Sequence, residues 1–367
     1  MKESVAILFQ LLRAALHPER QELPQWQGAV DWAAVYRLAT EQGVAAIAWD
    51  GLTRMRDEGM LSSEMDLPRT LKLQWAMQVE QIEKRYAKQK QAIEALCAFY
   101  GEHDIDMMIL KGYGLSVLYP KPNHRPCGDI DTWLFGEQER ADKLLQERFG
   151  IEIDTEKHYH TVFTFQGVMV ENHFNLLNPN SHLSNRPIER MLRSLLPNRN
   201  AAISLEQLGL YAPNPDFNAL FLLRHSAAHF AAAEIGLRHI VDWVMFVKHY
   251  GRQVDWPALA TFAQKMNMHR FLQCQMAISI DYLGLDAACV PSFECDEVLE
   301  LRVLNDILHP EFSEKAQKVG LVRSLIYKTR RWWANRWKHQ MVYNEGLILT
   351  FLVQLRSHLM LPKSLKN

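Results

Sequence analysis

Two aspartates, Asp129 and Asp131, stand two positions apart in an otherwise apolar stretch, GDIDTWL at residues 128–134. On a β-strand, side chains two apart point to one face, so the spacing predicts two carboxylates projecting together. Like charges side by side repel unless a cation lies between them. Magnesium, an oxygen-seeking ion held by carboxylates and substrate phosphates, answers that need. Upstream, Lys111-Gly112 ends a short apolar strand expected over 105–110 and precedes a helix expected over 115–119. A glycine turn at a helix start offers backbone N–H groups to phosphate. Carboxylates facing such a turn point to phosphoryl or nucleotidyl transfer.

Other residues around this stretch bear on the same chemistry. Lys111 precedes the turn and Arg125 precedes the carboxylate strand. Either can offset triphosphate charge, Arg by bidentate contact, or form a salt bridge with Asp129 or Glu171. Two further strands, over 158–165 and 168–174, read as a hairpin turning at Gln166-Gly167. Alternation places Glu171 and His173 on one face, away from Val170 and Asn172. His158, His160 and His173 can orient ligands or carry protons near neutral pH; hydrogen-bonded structural histidines are the alternative.

Lys111, Gly112, Tyr119, Pro120, Arg125, Gly128, Asp129, Ile130 and Asp131 spell a Lys-Gly…Tyr-Pro…Arg…Gly-Asp-Ile-Asp core. In these residues the chain resembles a bacterial family of uncharacterised nucleotidyltransferases within the nucleotidyltransferase superfamily. It is similar, more distantly, to abortive-infection nucleotidyltransferase toxins, whose Lys-Gly-Gly turn precedes an Asp-x-Asp strand. The resemblance is sharp over residues 108–134 and looser to about 175. It implies an α+β fold, with a nucleotidyltransferase-like mixed β-sheet core flanked by N- and C-terminal helical regions. It also implies transfer of a nucleoside monophosphate from an NTP, with Mg2+ (or Mn2+), to an unknown acceptor: a small molecule, RNA or a protein. The superfamily supplies a third carboxylate from a neighbouring strand, and the family often carries Glu-x-His there. That assigns Asp129, Asp131 and Glu171 to metal and catalysis; the competing view of Glu171 is an exposed residue on a two-sided hairpin. Lys111, Gly112, Tyr113, Gly114, Arg125, Gly128, His173 and Arg238 form the implied nucleotide-binding set. Tyr113 holds the turn position where the superfamily has Gly or Ser. That substitution keeps open a second class, a catalytically degenerate nucleotide-binding or scaffold protein; a toxin acting on RNA or a partner protein is a third.

Beyond the core, His225 and His229 share a helix face at the spacing zinc proteases use, but Ser226 stands where their glutamate would be. Arg238 and Asp242 resemble the Arg…Asp helix that follows the catalytic domain in the family; an i,i+4 surface ion pair is the alternative. Residues 327–339, YKTRRWWANRWKH, interleave cations with tryptophans. Such a segment can bind an acidic acceptor, stack bases or lie on a membrane; the favoured expectation is Trp333 and Trp337 in the core with solvated cations around them.

The elements that must position these residues are mostly helical. Residues 1–104 are expected to be an N-terminal helical region, 105–178 the α/β core and 179–367 a C-terminal helical region. Asp31 and Asp255 each precede a Trp and read as helix caps, Asp216 likewise, and Pro68 suits the start of a long helix to about residue 100. The composition, 48% hydrophobic and 23% charged, suits a folded core rather than disorder. With 41 basic and 42 acidic residues, no global bias toward nucleic acid exists. Five scattered cysteines without a C-x-x-C pair argue against a disulfide framework or zinc knuckle. No signal peptide is evident and the longest apolar run is far too short for a bilayer, so a cytoplasmic protein is expected.

Overall fold

The computed structural model describes residues 2–20, 29–60, 67–205, 209–232, 234–312, 321–350 and 353. Four helices lead the chain: α1 (Glu3–Leu16), α2 (Trp32–Glu41), α3 (Ala45–Asp57) and α4 (Arg69–Gly101). The first three are short and amphipathic, and they bury their apolar faces against one another. At Gly51 a Cβ would lie 1.9 Å from the Leu11 carbonyl oxygen, so only glycine lets α3 approach α1 this closely. Helix α4 is different, a 33-residue rod that follows Pro68. Its first half anchors on Trp75, whose indole N–H donates to the Ala45 carbonyl at 2.8 Å. Its second half packs Ile93, Leu96 and Tyr100 under the sheet.

The sheet has six strands among the described residues, in the order β3-β4-β2-β1-β6-β5. They are β1 (Met108–Leu110), β2 (Ile130–Trp133), β3 (His160–Phe165), β4 (Val168–His173), β5 (Ile203–Leu205) and β6 (Leu210–Ala212). Strand β2 runs antiparallel to β1 and parallel to β4, while β1 runs parallel to β6. Between β1 and β2 lies the short helix α5 (Gly112–Ser116); α6 (Gln138–Phe149) follows β2. The β3–β4 hairpin turns at Gln166 and Gly167, both at positive φ (48° and 71°), which suits the right-handed twist of the strands.

Alternation divides the sheet between two cores. Ile109, Ile130 and Val170 face α6 and the end of α4. Met108, Leu110 and Trp133 face the larger helical core, which unites α1–α3 with α7 (Asn185–Leu195), α8 (Pro215–Ala232), α9 (Leu237–Tyr250), α10 (Trp256–Lys265), α11 (His269–Asp281) and α12 (Glu297–Leu308). Helices α13 (Leu321–Ala334) and α14 (Arg336–Val342) follow. The fold is thus α+β, with a mixed sheet between helical layers. Among the described residues no helix is long and apolar enough to cross a membrane.

Several local expectations change. Asp31 and Asp255 do cap α2 and α10, accepting from Ala34 and Ala258 N–H at 3.0 Å with nearly identical backbone angles. Asp216 does not cap α8: Asn214 accepts from the Phe217 N–H at 2.9 Å, and Asp216 accepts from the Asp255 N–H instead. The helix expected from Trp256 to Leu283 breaks at Asn267, which adopts φ 60°. Trp333 and Trp337 fall on different helices, and Trp333 is 61% exposed rather than core. Lys338, expected among solvated cations, is fully buried against Asp306 at 2.5 Å. The helical continuation expected to residue 361 falls outside the described residues beyond 353.

Candidate active site

Asp131 lies on the sheet face turned toward the larger core, beside Leu110 of β1 and Glu171 of β4 in register. Asp129 sits one step before β2. One oxygen each from Asp129, Asp131 and Glu171 lie within 4.8 Å of one another. The register that sets Asp131 beside Glu171 is locked from the opposite face. There Thr132 donates to Asn172 Oδ1 at 2.5 Å, and Asn172 Nδ2 donates to Asp142 of α6 at 2.7 Å.

Asp131 is almost wholly buried and meets two basic groups. Lys111 Nζ is 2.9 Å from Asp131 Oδ1, and His173 Nε2 is 3.1 Å from the same oxygen. Burial by itself raises the Asp131 pKa, but Lys111 and the His173 hydrogen bond overcome it and hold the carboxyl well below the usual range. Asp129 goes the other way: burial, then the Asp131 charge, push its pKa up, only partly offset by Lys111. Two neighbouring carboxyls with opposed shifts are a frequent mark of a functional cleft. Burial works to lower the His173 pKa, yet Asp131 and Glu171 raise it overall. His160, register partner of His173, is held neutral by burial, with its pKa lowered to about 4.

The loop that delivers Asp129 is clamped by the N-terminal helices. His124 is gripped between Asp50 of α3 at 2.8 Å and Glu83 of α4 at 2.9 Å. Lys121 reaches Asp50 at 2.6 Å. Gln89 of α4 donates to the Asp129 carbonyl at 2.8 Å and the Gly128 carbonyl at 3.2 Å. The loop therefore ends in a fixed place.

In front of Asp129 and Asp131 opens a cavity of about 220 Å³, which Glu171 does not line. Lys111, Gly112, Arg125, Gly128, Asp129 and Asp131 form one wall; His225, His229, Arg238, His239 and Asp242 from α8 and α9 form the other. Of the implied nucleotide set, Tyr113 and Gly114 do not line it. Tyr113 is buried and stacks on Tyr86 at 5.3 Å, while Gly114 packs against Ile109. His173 stands behind Asp131.

Arg125 lines the cavity but is committed elsewhere. Its Nε and Nη2 donate to Asp242 at 2.9 and 2.7 Å, a buried bidentate pair that Tyr119 OH joins at 2.6 Å. Neither Asp129 nor Glu171 is its partner, and Asp242 pairs with Arg125 rather than with Arg238 one turn away. Arg238 keeps its place on the cavity wall, 3.4 Å from the Pro126 carbonyl. The imidazoles of His225 and His229 lie 4.5 Å apart and each 6.1 Å from His239. All three have lowered pKa values, chiefly through burial. They are not one of the two groups of three metal-ligating side chains found among the described residues. The i,i+4 spacing of His225 and His229 signalled their common face; nothing in the sequence signalled that His239 would join them.

Searches of curated proteins and of solved structures returned no match. A family model described as uncharacterised nucleotidyltransferase matches residues 28–284. That span includes the helices that clamp the Asp129 loop, the strands β2 and β4, and the α8–α9 side of the cavity. The chain belongs to the uncharacterised nucleotidyltransferase family.

Proposed function

We propose that this chain transfers a nucleoside monophosphate from an NTP to an acceptor oxygen, with Mg2+ or Mn2+ held by Asp129, Asp131 and Glu171. The observation that supports it most is the meeting of three carboxylates within 4.8 Å, two on adjoining strands and Asp129 just before one of them, beside the Lys111 cation. Oxygens bound to one octahedral magnesium at ~2.1 Å lie ~3.0 Å apart when adjacent and ~4.2 Å apart when opposite, separations that fall inside the 4.8 Å span of the three carboxylates. When bound, such an ion offsets the triphosphate charge and aligns the phosphorus under attack.

The protein's own groups have separate tasks. Lys111 and Arg238, both lining the cavity, hold the anionic phosphates. Gly112 presents backbone without a side chain in the way. Glu171 accepts the proton of the acceptor hydroxyl. The acceptor oxygen bonds to the α-phosphorus while the bond from that phosphorus to the bridging oxygen breaks, and pyrophosphate leaves. A phosphate acceptor needs no proton removed. Small molecules, RNA and proteins all carry suitable oxygens.

Incubation with each labelled NTP, Mg2+ and cell extract tests the reading. Label transfer is expected for the wild type and lost in Asp131→Asn. Mg-NTP at a hundred times its Kd should add ~2.7 kcal/mol of stability by mass action, and Asp131→Asn should shrink that gain. Equal gains in both proteins overturn the metal assignment. A second reading, an inert nucleotide-binding module, draws on the Lys111–Asp131 contact at 2.9 Å, which occupies an oxygen that a metal needs. It expects stabilisation by Mg-NTP with no label transfer.

A further inference from the structure

Beside the three carboxylates lies a second set of ligand atoms with different chemistry. His160 on β3 and His173 on β4 are register partners across the hairpin, with rings 5.1 Å apart. Both bring a ring nitrogen within 4 Å of one oxygen of Glu171. His160 Nδ1 is 3.4 Å and His173 Nε2 3.7 Å from Glu171 Oε2. One ligand atom from each of the three residues fits within a 4.8 Å span.

We infer that His160, Glu171 and His173 form a binding position for a transition-metal ion, Zn2+ by preference, sharing Glu171 with the carboxylate centre. Zinc bonds of ~2.0–2.1 Å in a tetrahedron put neighbouring ligand atoms ~3.3–3.4 Å apart, close to the 3.4 and 3.7 Å found here. Imidazole nitrogen suits zinc and its first-row neighbours; magnesium prefers carboxylate and water oxygen.

Two observations beyond the spacing point to a ligand. His160 is 3% exposed, and its Nδ1 makes no hydrogen bond although it faces Glu171. Leaving such an atom buried and unpaired is costly, and a metal bond would satisfy it. His173 Nδ1 contacts the Asn175 carbonyl at 3.1 Å. A carbonyl only accepts, so Nδ1 donates in that bond; Nε2, which donates to Asp131 Oδ1 at 3.1 Å, gives up its proton when it ligates a metal. Metal-binding histidines are held in this way, the second ring nitrogen donating to a carbonyl or carboxylate. Tyr159, with its ring 4.1 Å from that of His160 and 5.7 Å from that of His173, covers the pair.

The position stands on the hairpin alone and does not require nucleotidyl transfer. The test uses full-length protein stripped with a chelator. Zn2+ and Mg2+ are titrated separately by calorimetry, and Co2+ is added as a visible-absorption probe of nitrogen ligation. The wild type should bind Zn2+ at least ~100-fold more tightly than Mg2+, as imidazole ligation favours. His160→Asn should weaken Zn2+ at least ~10-fold and dim the Co2+ bands while leaving Mg2+ affinity nearly unchanged. Asp129→Asn should do the reverse, so a failed carboxylate centre and a failed histidine position give different patterns. X-ray absorption of zinc-loaded wild type, which needs no variant to fold, should count two imidazoles. Zinc without imidazole ligands, or unchanged Zn2+ affinity in a folded His160→Asn, overturns the proposal.

Discussion

Replacing Arg125 by methionine separates a structural from a substrate-binding role for this residue. Asp242 is buried and receives three hydrogen bonds, two from Arg125 at 2.9 and 2.7 Å and one from Tyr119 at 2.6 Å. Arg125→Met removes two of them and leaves a carboxylate inside the fold with one hydroxyl donor. Stranding one partner of a buried ion pair costs ~3–5 kcal/mol. Tyr119→Phe removes a single bond to a charged group, worth ~1.5–3 kcal/mol. The double variant Arg125→Met/Asp242→Leu has no stranded charge and should recover most of the loss, since apolar replacement of a buried pair is often neutral. Urea unfolding of the wild type, the single variants and the double variant gives the coupling directly. Coupling below ~1 kcal/mol, together with loss of Mg-NTP stabilisation in Arg125→Met, would refute the structural assignment and return Arg125 to the phosphates.

Three further outcomes follow from other parts of the molecule. Gly51→Ala should cost at least ~2 kcal/mol in urea unfolding, because its methyl meets the Leu11 carbonyl of α1 and backbone cannot step aside; a neutral result would mean α1 and α3 are not so close. Trp337→Ala should cost ~3 kcal/mol, since it loses the Phe230 edge contact, the Arg302 guanidinium 4.0 Å away and the Glu311 hydrogen bond, whereas exposed Trp333→Ala should stay within ~1 kcal/mol. His339 is buried, and burial, then His182, lower its pKa to about 3 against the weaker pull of Glu345. A base whose folded pKa is depressed gives stability that is full above its unfolded value near 6.5 and lost as pH falls. Each pH unit below 6.5 therefore removes ~1.4 kcal/mol, and melts between pH 6.5 and 5 should show a loss that His339→Gln flattens; parallel slopes would reject it.

What the sequence disclosed follows from the range of each interaction. Period-two alternation on a strand is local, so the shared face of Glu171 and His173 and the apolar backing of Asp131 could be read directly. Capping is local too, which is why Asp31 and Asp255 announced their helices. Asp216 misled because the helix starts earlier, at Pro215 behind Asn214, so Asp216 already lies inside its first turn. The strands β5 and β6 have three residues each and enter the sheet through a parallel partner about a hundred positions away. Three residues carry no period to detect. Arg125 gave no hint of Asp242, 117 positions on, because long-range pairing is decided by packing. Lys338 looked like a surface cation for the same reason: its partner Asp306 sits on another helix.

The grip of Asp50 and Glu83 on His124 has a consequence for anyone cutting this protein down. Asp50 belongs to α3, and α3 owes its own position to the glycine contact with Leu11 of α1. A fragment beginning at residue 105 would contain every acidic side chain of the cleft, yet the loop that carries its Asp129 would keep only the Arg125–Asp242 hold and lose its grip on α3 and α4. Metal affinity would then have to cover the entropy of ordering that loop. The smallest transplantable version of this cleft accordingly starts with the first helix, nearly 130 residues ahead of its first carboxylate.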